Sequence, residues 1–223
     1  MRISYAVLFD MDGVLVQTEA LKAKAHAAAV TQLGGHIEPA FYTTVMGQPM
    51  EAVEWAFCQA GGIEHAVSRY RQRFEAVYHS LLQSQLTVTP GVAQLLQQLQ
   101  ERNYRLGVVT SDHAATMTDV LTRTSLFPFF EVRVARDDVA RTKPAPDAYL
   151  LALERLALPA SAAIVIEDSE SGAQAAASIG LRTLALRHSF NRRHNFGSVF
   201  KEIDSFCNPH VLIEVIEHAL TVT

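Results

Sequence analysis

The sequence is poor in cysteine and in long apolar runs. Cys58 and Cys207 are the two cysteines among 223 residues, and their wide separation argues against a disulfide framework and against a cysteine metal site. No apolar run approaches the roughly 20 residues of a membrane-spanning helix. Asp10 and Asp12 interrupt the apolar N-terminal stretch, which a signal peptide would keep intact. We therefore expect a cytoplasmic protein without a membrane partner.

Basic residues are also few. Lys and Arg number 19 against 23 Asp and Glu, for a net charge of -4. A chain with this balance lacks the basic surface that nucleic-acid binding requires, so we expect no nucleic-acid partner. A small phosphorylated metabolite stays compatible with it, because local dipoles, a metal ion and one or two cations suffice to bind such a ligand. We expect a monomer or a weak homo-oligomer.

Apolar residues make up 49% of the chain, enough for a sizeable core. Short apolar runs predict strands buried on both faces, and helical patterns separate them. The strands are predicted over 5–9, 106–109, 163–166 and 183–186, with a weaker candidate over 130–134. The helices are predicted over 92–102, 114–124, 148–156, 172–179 and 209–220. This alternation favours an α/β fold, a three-layer Rossmann-like core with a parallel sheet.

A long helical block interrupts the alternation after the first strand. Helices are predicted over 19–33, 51–59 and 64–82, with glycine pairs between them and almost no strand-like run. An ordinary connection between a strand and a helix is only a few residues long. We therefore predict an all-helical cap subdomain over 17–86, inserted into a core domain that comprises 1–16 and 87–223.

The first strand ends in a pair of carboxylates, Asp10 and Asp12, followed by Gly13. Two acids one residue apart are costly unless a cation is bound or one acid is protonated. They can divide their work: one acid can bind Mg²⁺ and attack phosphorus, while the other exchanges a proton with the leaving oxygen and with water. By itself, the pair is equally compatible with surface turn residues that cap the next helix.

Three further polar groups follow later strands or lie in the loops beyond them. Thr110 and Ser111 precede a helix and could bind an anion or simply cap that helix. Lys143 lies between loop prolines and could be a fixed charge for phosphate or a solvated lysine. Glu167 and Asp168 offer Mg²⁺ ligands or another helix cap. Parallel strands end at one edge of a sheet, so all four groups are expected together. Three helix caps and a solvated lysine that coincide at this edge are the weaker explanation.

These ordered motifs resemble those of the haloacid dehalogenase-like hydrolases, in particular the members with a small helical cap that are similar to phosphoglycolate phosphatase and β-phosphoglucomutase. The resemblance covers nearly the whole chain. The matching residues are Asp10-Met11-Asp12-Gly13-Val14, Thr110, Lys143 within KPAPD, and Glu167-Asp168 within IEDSESG.

The resemblance implies a role for each matching residue. Asp10 would be the nucleophile that becomes an aspartyl-phosphate, and Asp12 the general acid and base, with its backbone carbonyl on Mg²⁺. Thr110 would hold a phosphoryl oxygen, and Lys143 would neutralise the nucleophile and the phosphoryl group. Asp168 would ligate Mg²⁺, with Glu167 in or next to the coordination shell. The helical insert would act as a lid that selects small phosphomonoesters.

Other members of the family differ at identifiable positions. Asp12 disfavours a dehalogenase, which would lack the second acid. A phosphonatase would use a cap lysine such as Lys22 or Lys24, but its first motif departs from DxDG. A sugar-phosphate mutase is the main alternative, because its four motifs look the same. A mutase would place cations near Gly47, where this sequence has Met46 and Met50, so we favour the phosphatase.

Two alternatives from other functional classes stay open. A phosphoryl-accepting signalling domain uses similar chemistry but lacks a helical insert. A non-catalytic phospholigand-binding relative would be expected to have lost part of the motif set, which is intact here. Among minor candidates, His113 lies near the predicted phosphate site and could contact substrate. His26 is expected on the cap surface, and Trp55 and Phe57 in the cap core.

Overall fold

The computed structural model describes residues 4–197 and 199–221. Residues 1–3, 198, 222 and 223, which the sequence analysis assigned to the core domain, lie outside the described residues. The chain forms two compact units. An α/β unit comprises the described residues of 1–16, 88–188 and 195–223, and a helical unit comprises 17–87 and 189–194.

Six parallel strands form the sheet of the α/β unit, in the order β3-β2-β1-β4-β5-β6. Their bounds are β1 Ala6–Phe9, β2 Arg105–Val109, β3 Val132–Val134, β4 Ala163–Glu167, β5 Arg182–Leu186 and β6 Lys201–Ile203. The chain runs outward from β1 to β3 and then returns to place β4 on the other side of β1. Such a reversal creates a crevice at the carboxyl ends of β1 and β4, where ligands bind in open α/β sheets.

Helices connect the strands from β1 to β5, and α8 follows β6. The α-helices of the described residues are α1 Glu19–Gln32, α2 Met50–Ala60, α3 Val67–Gln85, α4 Val92–Glu101, α5 Ala114–Arg123, α6 Asp147–Leu156, α7 Glu170–Ala177 and α8 Pro209–Thr221. The first three belong to the helical unit and the other five to the α/β unit. The predicted three-layer α/β fold is confirmed. No helix among the described residues is both long enough and apolar enough to span a membrane.

The central strands are buried because their sequences are apolar on both faces. Every residue of β1 and of β4 is buried, including Glu167 at the end of β4. Helix α6 packs its apolar face on this sheet, and Tyr149, Ala152 and Leu156 of that face are fully buried. These contacts give the sheet edge that carries the polar residues a rigid support.

The helical unit has a core of its own, and His26 lies inside it. The imidazole is buried and stacks on the rings of Phe57 and Phe74, with ring centroids 4.6 and 3.9 Å away. Its Nδ1 lies 2.8 Å from the hydroxyl of Tyr70. The expectation that His26 faces the surface was therefore wrong. An Ala-rich helix hides which of its faces is buried, and the aromatic partners come from α2 and α3.

The two aromatic residues of α2 have opposite environments. Phe57 is fully buried in the core of the helical unit, as predicted. Trp55 is 51% exposed, so its assignment to the core was wrong. Residues two apart on a helix point about 200° apart, so they cannot share one buried face.

A short segment after β5 also belongs to the helical unit. Phe190 packs edge-on against Tyr42, with ring centroids 6.2 Å apart. Nε2 of His194 lies 3.1 Å from the carbonyl oxygen of Met46, beside Gly47. Asn191, between these two anchors, is fully buried. The segment 189–194 thus contributes the side chains of Phe190, Asn191 and His194 to the helical unit.

Candidate active site

The carboxyl ends of β1 and β4 bring the two acid pairs together. Asp10 follows β1, and its backbone N–H donates to the carbonyl oxygen of Ile166 in β4 at 3.0 Å. Glu167 ends β4 and Asp168 follows it. Asp10, Glu167 and Asp168 are all buried, and each offers a carboxylate oxygen within 4.8 Å of the others. The structure therefore concentrates three acids in one small volume.

Lys143 lies among these acids although it comes from a distant loop. Its Nζ donates to Oδ1 of Asp10 at 2.5 Å, to Oε1 of Glu167 at 2.6 Å and to the carbonyl oxygen of Val109 at 2.9 Å. An ammonium group has three donors, so all three are used. Burial by itself would lower the pKa of Lys143, but Asp10 and Glu167 raise it well above its ordinary value. Lys143 is therefore a fixed positive charge.

The three acids do not share one environment. Burial raises the pKa of Asp10 well above its ordinary value; the charge of Lys143 opposes that rise, and Glu167 and Asp168 add to it. Burial would also raise the pKa of Glu167, but Lys143 and its hydrogen bonds bring it below its ordinary value. One lysine is thus insufficient to balance the acids around Asp10. Such an arrangement fits a divalent cation with hard oxygen ligands.

Asp168 has a neighbour that the sequence analysis did not identify. Nε2 of His188, which follows β5, lies 2.8 Å from Oδ2 of Asp168. A group that binds one carboxylate oxygen fixes how the other is presented. His188 lies at the carboxyl end of a strand next to β4, and this position was the one signal in the sequence that could have indicated it.

Asp12 lies two residues beyond Asp10 in a tight turn and is buried. Gly13 adopts a φ of 70°, and its N–H donates to the carbonyl oxygen of Val16 at 2.9 Å. This turn brings the backbone of Val16 next to that of Asp12. A positive φ is strained for most residues but not for glycine, which explains why glycine follows Asp12.

Thr110 and Ser111 follow β2. Thr110 is buried; its N–H donates to the carbonyl oxygen of Val134, and its Oγ1 accepts the N–H of Asp112 at 3.1 Å. Ser111 is exposed. Thr110 therefore lies at the same edge of the sheet as Asp10, because β2 is the neighbour of β1. Binding of a phosphoryl oxygen by these two residues stays a prediction.

His113 begins the turn before α5, and its environment was not foreseen. Its Nδ1 lies 2.7 Å from Oδ1 of Asp137, and the other carboxylate oxygen of Asp137 accepts the N–H of Ala114. Asp137 therefore caps α5. Its pKa is lowered, first by the hydrogen bond from Ala114 and then by that from His113. A contact between His113 and substrate stays a prediction.

The loop that carries Lys143 is closed by a paired contact. The guanidinium of Arg141 binds both carboxylate oxygens of Asp147, the first residue of α6, at 3.1 and 3.0 Å. A turn lies inside this closure, where the N–H of Ala145 donates to the carbonyl oxygen of Thr142. The start of α6 is thereby tied to the segment that delivers the lysine.

Further residues at the site were missed by the sequence analysis. The hydroxyl of Tyr149 donates to Oε1 of Glu167 at 2.7 Å. The hydroxyl and N–H of Ser169 donate to Oε2 of Glu167 at 2.9 and 3.1 Å. A Cβ on Gly172 would lie 1.8 Å from Oε1 of Glu167. A tyrosine on the apolar face of a helix does signal a buried hydrogen-bond partner, but it does not say which one.

Comparison with known proteins gives consistent matches. The family model described as haloacid dehalogenase-like hydrolase matches residues 7–186. A phosphorylated carbohydrates phosphatase of Thermotoga maritima is 32% identical over 187 residues, which cover 83% of this chain and 87% of the relative. Protein CbbY of Rhodobacter capsulatus is 30% identical over 203 residues, which cover 86% and 89%. A Thermotoga maritima crystal structure provisionally assigned as a β-phosphoglucomutase has a TM-score of 0.78 at 29% identity, and the match covers 95% and 99%.

Proposed function

This chain belongs to the haloacid dehalogenase-like hydrolase family, and from that premise we propose that it is a Mg²⁺-dependent phosphatase that transfers a phosphoryl group onto Asp10 and then to water. The observation that carries the proposal is the contact of Asp10 with Lys143. This contact fixes the buried carboxylate of Asp10 at the point where the strand order of the sheet reverses. A second buried acid, Asp12, lies two residues further along the chain.

In the first half-reaction, one oxygen of Asp10 attacks the phosphorus atom. Lys143 binds Oδ1, so Oδ2 is the oxygen that forms the new P–O bond. The bond from phosphorus to the ester oxygen breaks in line, and Asp12 gives its proton to that oxygen, which leaves as an alcohol. Thr110 binds a phosphoryl oxygen, and the nearby charge of Lys143 stabilises the negative charge that is spread over the phosphoryl oxygens in the transition state.

In the second half-reaction, water replaces Asp10 on phosphorus. Asp12, now a carboxylate, accepts a proton from the water, whose oxygen forms a P–O bond while the acyl-phosphate bond breaks. Asp10 and inorganic phosphate are released, and Asp12 is again protonated. Each acid is thus restored, and the sum of the two halves is hydrolysis of a phosphomonoester.

The site fits a divalent metal ion. Asp10 and Asp168 would hold it with the backbone carbonyl of Asp12, and Glu167 would lie in or beside the coordination shell. The metal ion would supply positive charge to the phosphoryl oxygens and orient them toward Asp10. We expect Mg²⁺ because carboxylate and carbonyl oxygens are its preferred ligands, and Mn²⁺ to substitute in vitro.

We propose phosphorylated carbohydrates or similar small metabolites as the substrate class, selected by the helical unit. The phosphorylated carbohydrates phosphatase among the relatives supports this class. A sugar-phosphate mutase is the alternative that the test must distinguish, since a structurally similar protein is provisionally assigned as a β-phosphoglucomutase. Met46 and Met50 beside Gly47 offer no cation for a second phosphate, which favours hydrolysis.

The test is an assay of phosphate release from a panel of small phosphomonoesters, with Mg²⁺ and with a chelator. The panel includes β-glucose 1-phosphate with a trace of the 1,6-bisphosphate, and glucose 6-phosphate is measured separately. We expect Mg²⁺-dependent phosphate release that is lost in Asp10→Asn. Formation of glucose 6-phosphate without phosphate release would establish the mutase instead. Inactivity on every compound with Mg²⁺ would contradict the phosphatase proposal.

A further inference from the structure

The buried carboxylate of Glu167 is fully engaged with protein donors. Oε1 accepts from Lys143 at 2.6 Å and from Tyr149 at 2.7 Å. Oε2 accepts the N–H groups of Asp168 and Ser169, both at 3.1 Å, and the hydroxyl of Ser169 at 2.9 Å. A carboxylate offers about four lone-pair sites. Five donors already share them, so a cation could bind Glu167 only by displacing one.

The start of α7 is shaped around the same carboxylate. Gly172 lies against Glu167 so closely that a methyl group there would be 1.8 Å from Oε1 and 2.0 Å from the carboxylate carbon. Ser169 both caps α7, by accepting the N–H of Gly172 at 3.0 Å, and donates to Glu167. The helix start therefore fixes Glu167 from one side.

Lys143 and Tyr149 fix the carboxylate of Glu167 from the other side. They meet on one oxygen, Oε1, and Nζ of Lys143 lies 5.1 Å from the centroid of the Tyr149 ring. Tyr149 is fully buried on α6, so its hydroxyl has little freedom to move. Glu167 and the carbonyl of Val109 hold two donors of Lys143, and the third is aimed at Asp10.

We propose that Tyr149 is a positioning residue for phosphoryl transfer: its hydroxyl fixes Glu167, and Glu167 serves Lys143 rather than the metal ion. The proposal rests on the proposed function of the site. It divides the adjacent acids between two tasks, since Asp168 ligates the metal with Asp10 while Glu167 sets the position of the lysine. A displacement of about 1 Å in a group that stabilises the transition state can cost about 100-fold in rate.

The kinetic test uses Tyr149→Phe, which removes one oxygen atom and keeps the ring. We expect kcat to fall about 10-fold, in the range for loss of an outer hydrogen-bond partner, with KM within about twofold. Tyr70→Phe is the matched control, because it also removes a buried hydroxyl with a side-chain partner, His26, but in the helical unit. An unchanged kcat in Tyr149→Phe would overturn the proposal.

The metal test measures Mg²⁺ binding to the full-length protein by calorimetry. We expect Glu167→Gln and Tyr149→Phe to keep the dissociation constant within about threefold, and Asp168→Asn to raise it by at least about 10-fold. If Glu167→Gln weakens Mg²⁺ as much as Asp168→Asn does, then Glu167 is a ligand and the proposal is wrong.

A third measurement needs no turnover and no metal. The chain has four lysines, Lys22, Lys24, Lys143 and Lys201, so lysine-selective ¹⁵N labelling gives a sparse side-chain NMR spectrum. The Nζ signal of Lys143 is identified by its loss in Lys143→Arg. We expect Tyr149→Phe to shift this signal and leave the other three unchanged, and no shift would overturn the positioning role.

The three measurements separate two failures. If the wild-type protein hydrolyses no phosphomonoester, the proposed function fails, while the calorimetric and NMR results still decide whether Tyr149 and Glu167 position the lysine. If hydrolysis is observed and Tyr149→Phe behaves as wild type in kcat and in the NMR spectrum, the function stands and the positioning role is wrong.

Discussion

At the residue scale, three acids from the two similar pairs have different surroundings. Glu167 is enclosed by donors, whereas Asp10 contacts a single lysine in the company of other acids. Asp168 contacts His188. The chemistry of a carboxylate follows its neighbours, so the same residue type can attack, exchange a proton, bind a metal ion or hold a lysine.

Asp12 is the residue whose proposed role is most specific. In Asp12→Asn the leaving oxygen receives no proton and the water loses its base, so we expect kcat to fall by about 100- to 10,000-fold. Mg²⁺ affinity should change little, since the proposed ligand is the backbone carbonyl. Asp119→Asn is the control, an exposed acid paired with Arg123 on α5. Steady-state kinetics would contradict the role of Asp12 if the variant kept at least a third of wild-type kcat.

Individual site residues were predictable where they sit in short motifs at strand ends. Asp10, Thr110 and Asp168 directly follow strands, whereas Lys143 lies in the loop between β3 and α6. The structure places Lys143 against Asp10, and Asp168 lies beside Asp10 at the same edge of the sheet. Tyr149 and His188 were not predictable, because their partners are distant in sequence and their positions carry no motif. The surface position expected for His26 was wrong for the same reason: its four aromatic neighbours come from other elements.

At the scale of elements, the start of α7 is built around Glu167. A Gly→Ala substitution within a helix ordinarily stabilises a protein by about 0.5–1 kcal/mol. For Gly172→Ala we expect the opposite sign, a loss of about 2 kcal/mol in the free energy of unfolding, because the methyl group would overlap the Glu167 carboxylate. We also expect a lower kcat, since Glu167 must move.

Gln174→Ala on the same helix is the control for that substitution. Gln174 is exposed, so the change should alter the free energy of unfolding by less than about 0.5 kcal/mol. Urea unfolding of both variants measures the change in the free energy of unfolding, and steady-state kinetics measures the change in kcat. A stabilised, fully active Gly172→Ala protein would show that Glu167 is not held at this position.

The helices of the other unit enclose His26, and this predicts acid sensitivity. Burial, aided by the charge of Lys22, lowers the pKa of His26 from 6.5 to about 3. Between these two values the unfolded chain binds a proton that the folded protein does not, so the folded state loses stability as pH falls. We expect up to about 1.4 kcal/mol lost per pH unit between pH 6 and pH 4 from this residue.

His26→Phe tests this effect because phenylalanine keeps the stacked ring and cannot titrate. We expect the variant to lose less stability than wild type between pH 6 and pH 4. His36→Phe serves as control, since the side chain of His36 is 83% exposed. Equal pH dependence of unfolding in wild type and His26→Phe would contradict a neutral buried imidazole.

The elements themselves were predictable where apolar content or helical period was strong. Strands β1 and β4 and helices α4 to α6 begin and end within one residue of the expected bounds. Strand β6 was missed because its sequence, Lys-Glu-Ile, is short, partly charged and largely exposed at the edge of the sheet. Edge strands carry little apolar signal, since one side of such a strand faces no neighbour.

At the scale of the whole molecule, the order of the strands creates the site. The sheet order places β4 beside β1, so acids 158 residues apart in sequence, at positions 10 and 168, become neighbours. The loop before α6 then adds the lysine. This convergence was predictable from the order of motifs along a parallel sheet, whereas the hydrogen bonds that fix each group required the structure.

Metal binding should stabilise the folded protein as a whole. A ligand that binds the folded state alone, at 100 times its dissociation constant, adds about 2.7 kcal/mol to the free energy of unfolding. We expect Mg²⁺ to raise the unfolding temperature of the wild-type protein and to have little effect on Asp168→Asn. An equal rise in both proteins in a thermal scan, with Ca²⁺ and ionic strength controlled, would show that the acid cluster is not the site.

The central claim is that the phosphoryl group passes through Asp10. The most direct test is to mix the protein with Mg²⁺ and its best phosphomonoester, quench with acid within milliseconds, and reduce with borohydride, which converts an acyl phosphate to an alcohol. Mass spectrometry of the peptide that contains Met11 then locates the change. We predict homoserine at position 10 in the wild-type protein and none in Asp10→Asn. Continued phosphate release with no modified residue, or with the modification at another position, would contradict the account.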